Sequence, residues 1–488
     1  MMGLPTPASP EEQLRLALEE AFRHADLTIE QLWTRYFALG GNLDLVDVEG
    51  HLAGLMPLPS VERDMLAHAV NERLDEVRWQ RRVPYTHAIR QRPPTSGPLA
   101  ALVQLLEGAR LAPPERLAAL AGSAARALDV DVAVHLVDHE QRRLHRLAPS
   151  GQREGAPLSV DGTLAGRVFQ MARALPSEAG EQPRLWVPLL DGADRLGVLE
   201  VGLHASGDLY DPALREQCAW LAAQLGHLIG SMGRYGDELD CARRTAARTP
   251  SAELIHTQLP PLTAATSAFV LAARIEPSYE AGGDAFDYAL SANSVSLAVF
   301  DAMGHGMAAA LMAAAALSSY RSARRDGRNL SDQARAVDDV LADHFSSGAF
   351  VTGVLAELDV GSGRLRYVNA GHPFPLLLRG GKVVKALGAG RRLPLGLAGR
   401  ELTVGEEALQ PGDWLALYTD GITEARDAAG RWFGESRLTD FLTRAAAAAQ
   451  PPPETVRRLT HAVLDHQGGA LQDDASILLA CWRLGESS

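Results

Sequence analysis

The stretch EAGGDAFDY, residues 280–288, is followed by a second acidic stretch, SLAVFDAMGHG, residues 296–306. Two glycines before Asp284 allow the backbone to turn tightly, and we expect this acid at the end of a strand. Alternating side chains from Ser296 to Phe300 predict the next strand, which ends at Asp301. If the two strands are neighbours, their ends bring the two carboxylates together.

Two further acids adjoin predicted strands. Asp420 follows the apolar run LALYT, and Asp473, in the doublet Asp473-Asp474, precedes the strand predicted from Ala475 to Trp482. A single Asp-Gly is more often a turn than a ligand, but four acids that each adjoin a buried strand form a pattern. Clustered carboxylates repel one another unless a cation neutralises them, and an all-oxygen set suits Mg²⁺ or Mn²⁺. Two such ions can activate water and hold a phosphate for in-line attack, so the pattern predicts a phosphomonoester hydrolase site.

Six phrases in a fixed order identify the C-terminal part by resemblance. They are EAGGDAFDY, FDAMGHGMAAALMAA, YVNAGHPFPLLLR, LPLGL, LQPGDWLALYTDGITEARDAAGRWFGE and DDASILL. This series resembles the PPM (protein phosphatase type 2C-like) family, in the branch of SpoIIE-like bacterial phosphatases that regulate sigma factors. The resemblance implies an αββα sandwich over residues 266–485, with two antiparallel sheets and a dimetal site at one edge.

The resemblance also assigns roles to residues. It implies that Asp284 and Asp301 bridge or flank two Mn²⁺ or Mg²⁺ ions and that the Ala302 carbonyl adds a ligand. Asp420 and Asp473 would bind one of the metals, and these four acids are the candidate catalytic residues. Asp474 remains the alternative to Asp473, because the doublet alone does not decide which acid faces inward.

Roles are also predicted for three further polar residues in these phrases. In eukaryotic relatives a histidine lies two residues after the metal-binding acid, but that position is Met303 here. We therefore interpret His305 as structural, with phosphate binding or proton donation as the alternative. His372 is expected to pack rather than to catalyse, and Asp287 to orient Asp284 or to cap a turn.

The resemblance implies a serine/threonine protein phosphatase whose substrate is a phosphorylated STAS-type anti-anti-sigma protein. The alternative is a catalytically weak sensory scaffold that binds its partner without turnover. All four acids are present, which disfavours the alternative because loss of metal ligands is the simple route to a dead enzyme.

The rest of the chain predicts an α/β multidomain protein. Residues 1–92 have helical periodicity, and a linker is predicted at Gln91–Pro98. Residues 98–232 alternate between helices and strands, and the phrase RLWVPLLDGADRLGVLEVGL resembles a GAF domain. The resemblance implies a sensor with a small-molecule ligand or, as the alternative, a dimerisation and relay element without a ligand. The polar segment 233–265 is predicted to be a helical linker that Pro250 would kink or divide.

The apolar residues of the linking segment suggest a contact surface. Leu254, Ile255 and Leu259 have helical spacing, so they would pack on the phosphatase or on a second subunit, which makes a homodimer plausible.

Bulk composition restricts the partners. A content of 46% hydrophobic and 22% charged residues is typical of a globular protein. A formal charge of −13 disfavours nucleic acid and anionic membranes as partners. The N-terminus lacks a secretory signal pattern, and Cys218, Cys241 and Cys481 have no zinc-ligand spacing. We expect a soluble, cytoplasmic protein with buried free thiols.

Overall fold

The computed structural model describes residues 10–76, 83, 95–180, 182–280, 282–397, 402–469 and 471–482. Two compact units divide the chain, residues 1–93 and residues 94–488. The predicted linker Gln91–Pro98 lies partly outside the described residues, and its last two residues, Gly97 and Pro98, begin a helix.

The first unit is helical, as predicted. Its described residues form the helices α1 (Pro10–His24), α2 (Ile29–Ala38), α3 (Leu45–Leu52) and α4 (Ser60–Glu76). Thr28 and Gln31 form a capping box at the start of α2, in which each side chain accepts a hydrogen bond from the other residue's backbone N–H. Leu32, Tyr36 and Leu66 are fully buried at the centre of this unit.

The second unit begins with a domain built on one antiparallel sheet, here called the sheet domain. Its elements are α5 (Gly97–Ala109), α6 (Leu117–Arg126), β1 (Asp131–Val137), β2 (Arg143–Leu147), β3 (Arg153–Ser159), α7 (Leu164–Met171), β4 (Leu175–Ser177), β5 (Arg184–Asp191), β6 (Asp194–Gly202) and α8 (Pro212–Met232). The described strands have the order β3-β2-β1-β6-β5-β4. One core lies between the sheet and helices α5, α6 and α8, and a second lies on the α7 side.

The sheet domain has the predicted alternation of helices and strands, but α5, β3 and β4 were not individually predicted. The side chains of β3 are mostly exposed, so no alternation of polar and apolar residues marks this edge strand. The strand β4 has only three residues.

The linking segment, residues 233–265, is divided into two helices, the second of which begins at Pro250, as predicted. It contains α9 (Glu238–Arg243) and α10 (Pro250–Gln258), separated by an irregular stretch. Pro250 occupies the first turn of α10, where Thr249 caps the helix by accepting a hydrogen bond from the Ala252 N–H. Ile255 is completely buried in the core of the C-terminal sandwich. The segment is therefore part of the folded domain.

The C-terminal part consists of two sheets and their helices. In chain order its elements are β7 (Thr263–Thr266), β8 (Phe269–Glu276), β9 (Asp284–Leu290), β10 (Ser294–Ala302), α11 (Gly306–Arg325), α12 (Leu330–His344), β11 (Val351–Asp359), β12 (Arg364–Ala370), β13 (Leu376–Arg379), β14 (Lys382–Ala386), β15 (Arg391–Arg392), β16 (Gly405–Ala408), β17 (Trp414–Tyr418), α13 (Asp420–Thr423), α14 (Gly434–Ala447), α15 (Pro452–His466) and β18 (Ala475–Trp482).

These elements form the predicted αββα sandwich. Among the described residues, one sheet has the order β15-β12-β11-β10-β9, with β16 also paired to β12, and the other has the order β14-β13-β17-β18-β8-β7. Helices α11 and α12 pack on the first sheet, and α14 and α15 pack on the second. Phe286 and Val299 of the first sheet share a core with Leu271 and Leu478 of the second. Each acid of the candidate site lies in or beside a strand of this sandwich.

Buried ion pairs join the sheet domain to α15 of the sandwich. Arg457 of α15 is 1% exposed and donates to Glu454 at 2.8 Å and to Asp161 of the sheet domain at 2.6 Å. Arg195 of the sheet domain donates to the Pro453 carbonyl at 2.9 Å. His461 shares a hydrogen bond of 2.7 Å with the Glu140 carbonyl. The two parts therefore meet through a buried polar contact.

Two expectations from composition can be compared with the structure. Cys218 and Cys481 are buried, but Cys241 is exposed on α9, so the expectation that all three thiols are buried was wrong. Among the described helices, none has the length and apolar character that crossing a bilayer requires.

Candidate metal centre

Asp284 and Asp301 are direct partners across the antiparallel strands β9 and β10. Asp284 begins β9 and does not end a strand, whereas Asp301 lies near the end of β10. Because antiparallel pairing places the start of one strand beside the end of the next, the two carboxylates adjoin as expected. Asp284 is 1% exposed, and Asp301 is half-buried.

The other two acids come from the second sheet. Asp420 follows β17 as the first residue of α13, and Asp473 lies just before β18. Strands β17 and β18 are paired, with Tyr418 opposite Ile477, so both acids lie at the same edge. Burial and then the negative charges of Asp420, Asp473 and Asp474 raise the pKa of Asp301 to about 7. The structure thus brings all four predicted acids together.

Burial and then like charge raise the pKa values of the acids in this cluster. Burial, followed by the charges of Asp301 and Asp474, raises the pKa of Asp284 well above its usual value. The pKa values of Asp420 and Asp473 are also raised, in both cases mainly by burial. Repulsion of this kind is relieved when a cation binds among the carboxylates.

Asp473 and Asp474 have different surroundings. One oxygen of Asp474, Oδ2, accepts hydrogen bonds from the N–H groups of Gly282, Gly283 and Asp284 at 2.8, 2.6 and 3.2 Å. Asp473 is exposed, and its Oδ1 accepts one hydrogen bond, from the Asp474 N–H at 2.9 Å. Asp474 therefore holds the loop that leads into β9, whereas Asp473 faces the open side of the cluster.

The backbone of the same loop lies against Ala302. The Ala302 N–H donates to the Gly283 carbonyl at 3.0 Å. A Cβ added at Gly283 would lie 3.1 Å from the Ala302 oxygen, which is why a residue without a side chain suits this position. The Ala302 carbonyl is thereby fixed close to both Asp284 and Asp301.

Two threonines that the sequence analysis missed orient the acids. Thr419 is fully buried, donates to Asp284 Oδ2 at 2.8 Å and accepts from the Ser476 N–H at 2.9 Å. Thr352 lies opposite Asp301 in the pairing of β10 with β11, and its hydrogen bond to Asp301 opposes the rise in the pKa of that carboxyl. His372 supports Thr352 through a hydrogen bond of 2.8 Å between Nδ1 and Oγ1.

The roles predicted for Asp287, His372 and His305 can be compared with their contacts. Asp287 does not orient Asp284, because residues an odd number apart point to opposite faces of a strand, and it pairs with Arg321 and Arg324 at 2.7 Å each. His372 is buried, as expected for a packing residue. His305 is exposed and its side chain does not cap α11, so the structural role expected for it has no supporting contact.

The donors of the cluster fit a hard divalent cation, because they are carboxylate and carbonyl oxygens without a thiolate. Among the described residues, no three His, Cys, Asp or Glu side chains form a ready-made metal cage. The fit therefore depends on the donor chemistry and on the like charge that a cation would neutralise.

Comparison with known proteins places this region in a family. Residues 291–483 match the family model described as stage II sporulation protein E (SpoIIE). This region is a SpoIIE-family domain. Asp301, Ala302, Asp420 and Asp473 lie inside the matched residues of the SpoIIE-family domain, and Asp284 precedes them.

A curated relative aligns with part of the chain. Protein IcfG of Synechocystis sp. is 27% identical over 146 residues, which are 30% of this chain and 23% of IcfG. The chain thus spans less than a quarter of the length of that relative.

Solved structures similar to the SpoIIE-family domain come from several bacteria. The RsbU and RsbW domains of Rv1364c from Mycobacterium tuberculosis are 28% identical, with a TM-score of 0.40 over 45% of this chain and 63% of that one. The SiaA PP2C domain of Pseudomonas aeruginosa is 25% identical, with a TM-score of 0.38 over 43% of this chain and 85% of that one. The PP2C phosphatase domain of SpoIIE from Bacillus subtilis, solved with a fragment of its regulatory domain, is 18% identical. Its TM-score is 0.38 over 45% of this chain and 65% of that one.

Proposed function

We propose that the SpoIIE-family domain is a metal-dependent serine/threonine protein phosphatase. The observation that carries this proposal is that four acids from two sheets lie at one edge of the sandwich. Burial and the negative charges of Asp420 and Asp473 raise the pKa of Asp301, so these acids influence one another. The side chains of Asp284, Asp301, Asp420 and Asp473, with the Ala302 carbonyl, would hold two Mn²⁺ or Mg²⁺ ions. When bound, the ions would supply a Lewis acid that activates water and binds phosphoryl oxygens.

The chain's own residues would hold and orient this site. Thr419 fixes Asp284 by a hydrogen bond of 2.8 Å, and Thr352 fixes Asp301 from the neighbouring strand. Such supporting partners position ligands and tune their affinity for a cation. His305 lies at the exposed mouth, near enough to Asp473 for its charge to oppose the rise in the pKa of that acid. Its imidazole would contact the phosphoryl group or give a proton to the leaving oxygen.

The proposed substrate is a phosphorylated protein of the STAS type that acts as an anti-anti-sigma factor. Apolar side chains surround the N-terminus of α11 beside Asp301, namely Met303, Met307 and Leu311, which are 42%, 44% and 50% exposed. Trp432 is 54% exposed in the loop after α13. Exposed apolar residues beside a site favour a protein over a small phosphorylated metabolite.

We also propose that the sheet domain is a GAF-like sensor that regulates the phosphatase. Arg457 is buried and contacts Asp161, whose side chain is 61% exposed, and Arg195 contacts the Pro453 carbonyl, so the sheet domain has a direct connection to α15. Helix α15 packs on β18, the strand that follows Asp473. A shift of the sheet domain would therefore reach the metal centre through packed elements.

The substrate is tested by comparing turnover of a phosphorylated STAS-type protein with turnover of p-nitrophenyl phosphate, a nucleotide and a sugar phosphate, all with saturating Mn²⁺. The variant Met307→Glu should lower kcat/KM for the phosphoprotein by about tenfold relative to p-nitrophenyl phosphate, because it removes an apolar contact. Val384→Glu is the control, since Val384 is similarly exposed, at 52%, on β14 of the other sheet.

Faster turnover of the nucleotide or sugar phosphate than of the phosphoprotein would contradict the proposed substrate. Binding of the phosphoprotein without turnover of any substrate would instead indicate a scaffold.

A further inference from the structure

A cleft of about 540 Å³ lies between the sheet domain, the linking segment and the sandwich, and none of the acids of the candidate metal centre lines it. Its volume is within the range of sites that bind small molecules. We call it the interdomain cleft. Its apolar wall consists of Leu196, Ile229, Leu239, Leu259, Leu262 and Ile275.

Three buried polar atoms, in residues that line the interdomain cleft, lack a hydrogen-bond partner among the described residues. They are Arg248 Nε, His256 Nε2 and Arg274 Nη1. The Arg248 side chain is 5% exposed and Arg274 is 2% exposed. A buried polar group without a partner costs free energy, so each of these atoms indicates a missing partner.

The acids near the cleft are already engaged. Asp240 pairs with His139 at 2.8 Å and also with Arg244, and Asp191 pairs with His227 at 3.1 Å. The unpartnered nitrogens of Arg248 and Arg274 are additional to the contacts of these arginines with Glu253 and Glu276. Asp194 remains, and burial raises its pKa, with the charge of Arg243 opposing that rise.

Burial is the main cause of the low pKa values of two histidines at the cleft, and positive charge adds to it. Burial and then the charges of Arg248, His139 and Arg274 lower the pKa of His256 to about 3. Burial also lowers the pKa of His139 to about 4, with Arg243 and Arg248 adding to the decrease against the opposing effect of Asp240. The contribution of the arginines indicates positive charge beside the cleft, and this part of the effect favours an anion.

The geometry points to the interdomain cleft as a binding site for a small organic anion that carries phosphate or carboxylate groups. Its anionic oxygens would accept hydrogen bonds from Arg248 and Arg274 and contact His256, and its carbon atoms would lie on the apolar wall. The donors come from the linking segment and from β8 of the sandwich, and the wall includes the sheet domain. A bound anion would therefore contact all three parts of the second unit.

The site is tested by calorimetric titration of the full-length protein with pyrophosphate and with citrate, using sodium chloride at matched ionic strength as the control for general salt effects. Metal ions are removed beforehand with a chelating resin, so the carboxylates of the metal centre repel anions and cannot account for binding. The wild type should bind at least one probe. Pyrophosphate alone would indicate a phosphate ligand, citrate alone a carboxylate ligand, and both would indicate recognition of anionic oxygens in general.

Substitutions locate the binding. Arg248→Gln should weaken the affinity for the bound probe by about tenfold, the loss expected for one charge-assisted hydrogen bond, and His256→Gln should weaken it as well. Arg335→Gln is the control, because Arg335 lies on α12 with its side chain 49% exposed and pairs with Asp332. The inference is wrong if neither probe binds at millimolar concentration, or if Arg248→Gln and His256→Gln bind as tightly as Arg335→Gln.

Discussion

Asp284 Oδ2 accepts a hydrogen bond of 2.8 Å from Thr419 Oγ1, which links an acid of one sheet to the residue that precedes Asp420 in the other. Asp474 connects the two sheets a second time, because it precedes β18 of one sheet and accepts hydrogen bonds from the Gly282–Asp284 backbone, which leads into β9 of the other. The candidate metal centre is therefore built where hydrogen bonds join the two sheets, and its geometry depends on both.

Thr419 is predicted to support the site without binding a metal. Thr419→Val removes the hydroxyl that orients Asp284 at nearly constant volume, and we expect the apparent Mn²⁺ affinity and kcat each to fall by about tenfold. Thr423→Val is the matched control, because Thr423 donates only to a backbone carbonyl, that of Asp420, at 3.2 Å. Equal Mn²⁺ titration curves for the two variants would contradict this role.

Asp473 and Asp474 are predicted to differ in what they stabilise. Asp474→Ala removes the acceptor of three backbone N–H groups, so the free energy of unfolding in EDTA should fall by at least about 2 kcal/mol. Asp473→Ala removes a like charge from the cluster, and the metal-free protein should be as stable as the wild type or slightly more stable, yet inactive. Urea unfolding of both variants, beside Mn²⁺-dependent turnover, separates the two acids. The opposite order of stabilities would make Asp474 the better candidate for the ligand.

Arg457 is predicted to be essential to the contact between the sheet domain and the sandwich. Arg457→Ala leaves Glu454, which is 2% exposed, without its main partner, and loss of one member of a buried pair costs about 3–5 kcal/mol. Arg458→Ala is a close control, because Arg458 donates to the same Glu454 at 2.8 Å but has a side chain that is 52% exposed. Its loss should cost about 1 kcal/mol or less.

Urea unfolding and limited proteolysis would measure this difference. Equal stabilities of the Arg457→Ala and Arg458→Ala proteins would show that the buried contact contributes little.

The acids of the site could be predicted from sequence because each adjoins a strand whose apolar pattern is clear. Asp301 follows the alternating run from Ser296, and Asp420 follows a continuous apolar run. Their clustering then follows from the antiparallel pairing of neighbouring strands. Thr352 could not be found in this way, because its position opposite Asp301 depends on the register of β10 with β11, strands separated by two helices in sequence.

The linking segment packs in one of the two ways that its apolar residues predicted. Ile255 is completely buried in the sandwich core, with Leu254 and Leu259 packed against that core, and Pro250 begins the second of the segment's two helices, α9 and α10. A fragment that begins near Ala268 would therefore lack Ile255 and the edge strand β7. The sequence already argued against the hypothesis that Asp287 orients Asp284, because residues an odd number apart lie on opposite faces of a strand.

Metal-dependent phosphatase activity is tested most directly by measuring turnover of p-nitrophenyl phosphate by the full-length protein with Mn²⁺, with excess EDTA, and with Mn²⁺ restored. We expect activity with Mn²⁺, loss of activity in EDTA and recovery on restoration, because the carboxylate cluster needs a cation to act on phosphate. Asp301→Asn should fold as the wild type does, judged by circular dichroism, and lose at least about a hundredfold in kcat/KM. Undiminished turnover in excess EDTA, or full activity of Asp301→Asn, would contradict a metal-dependent phosphatase.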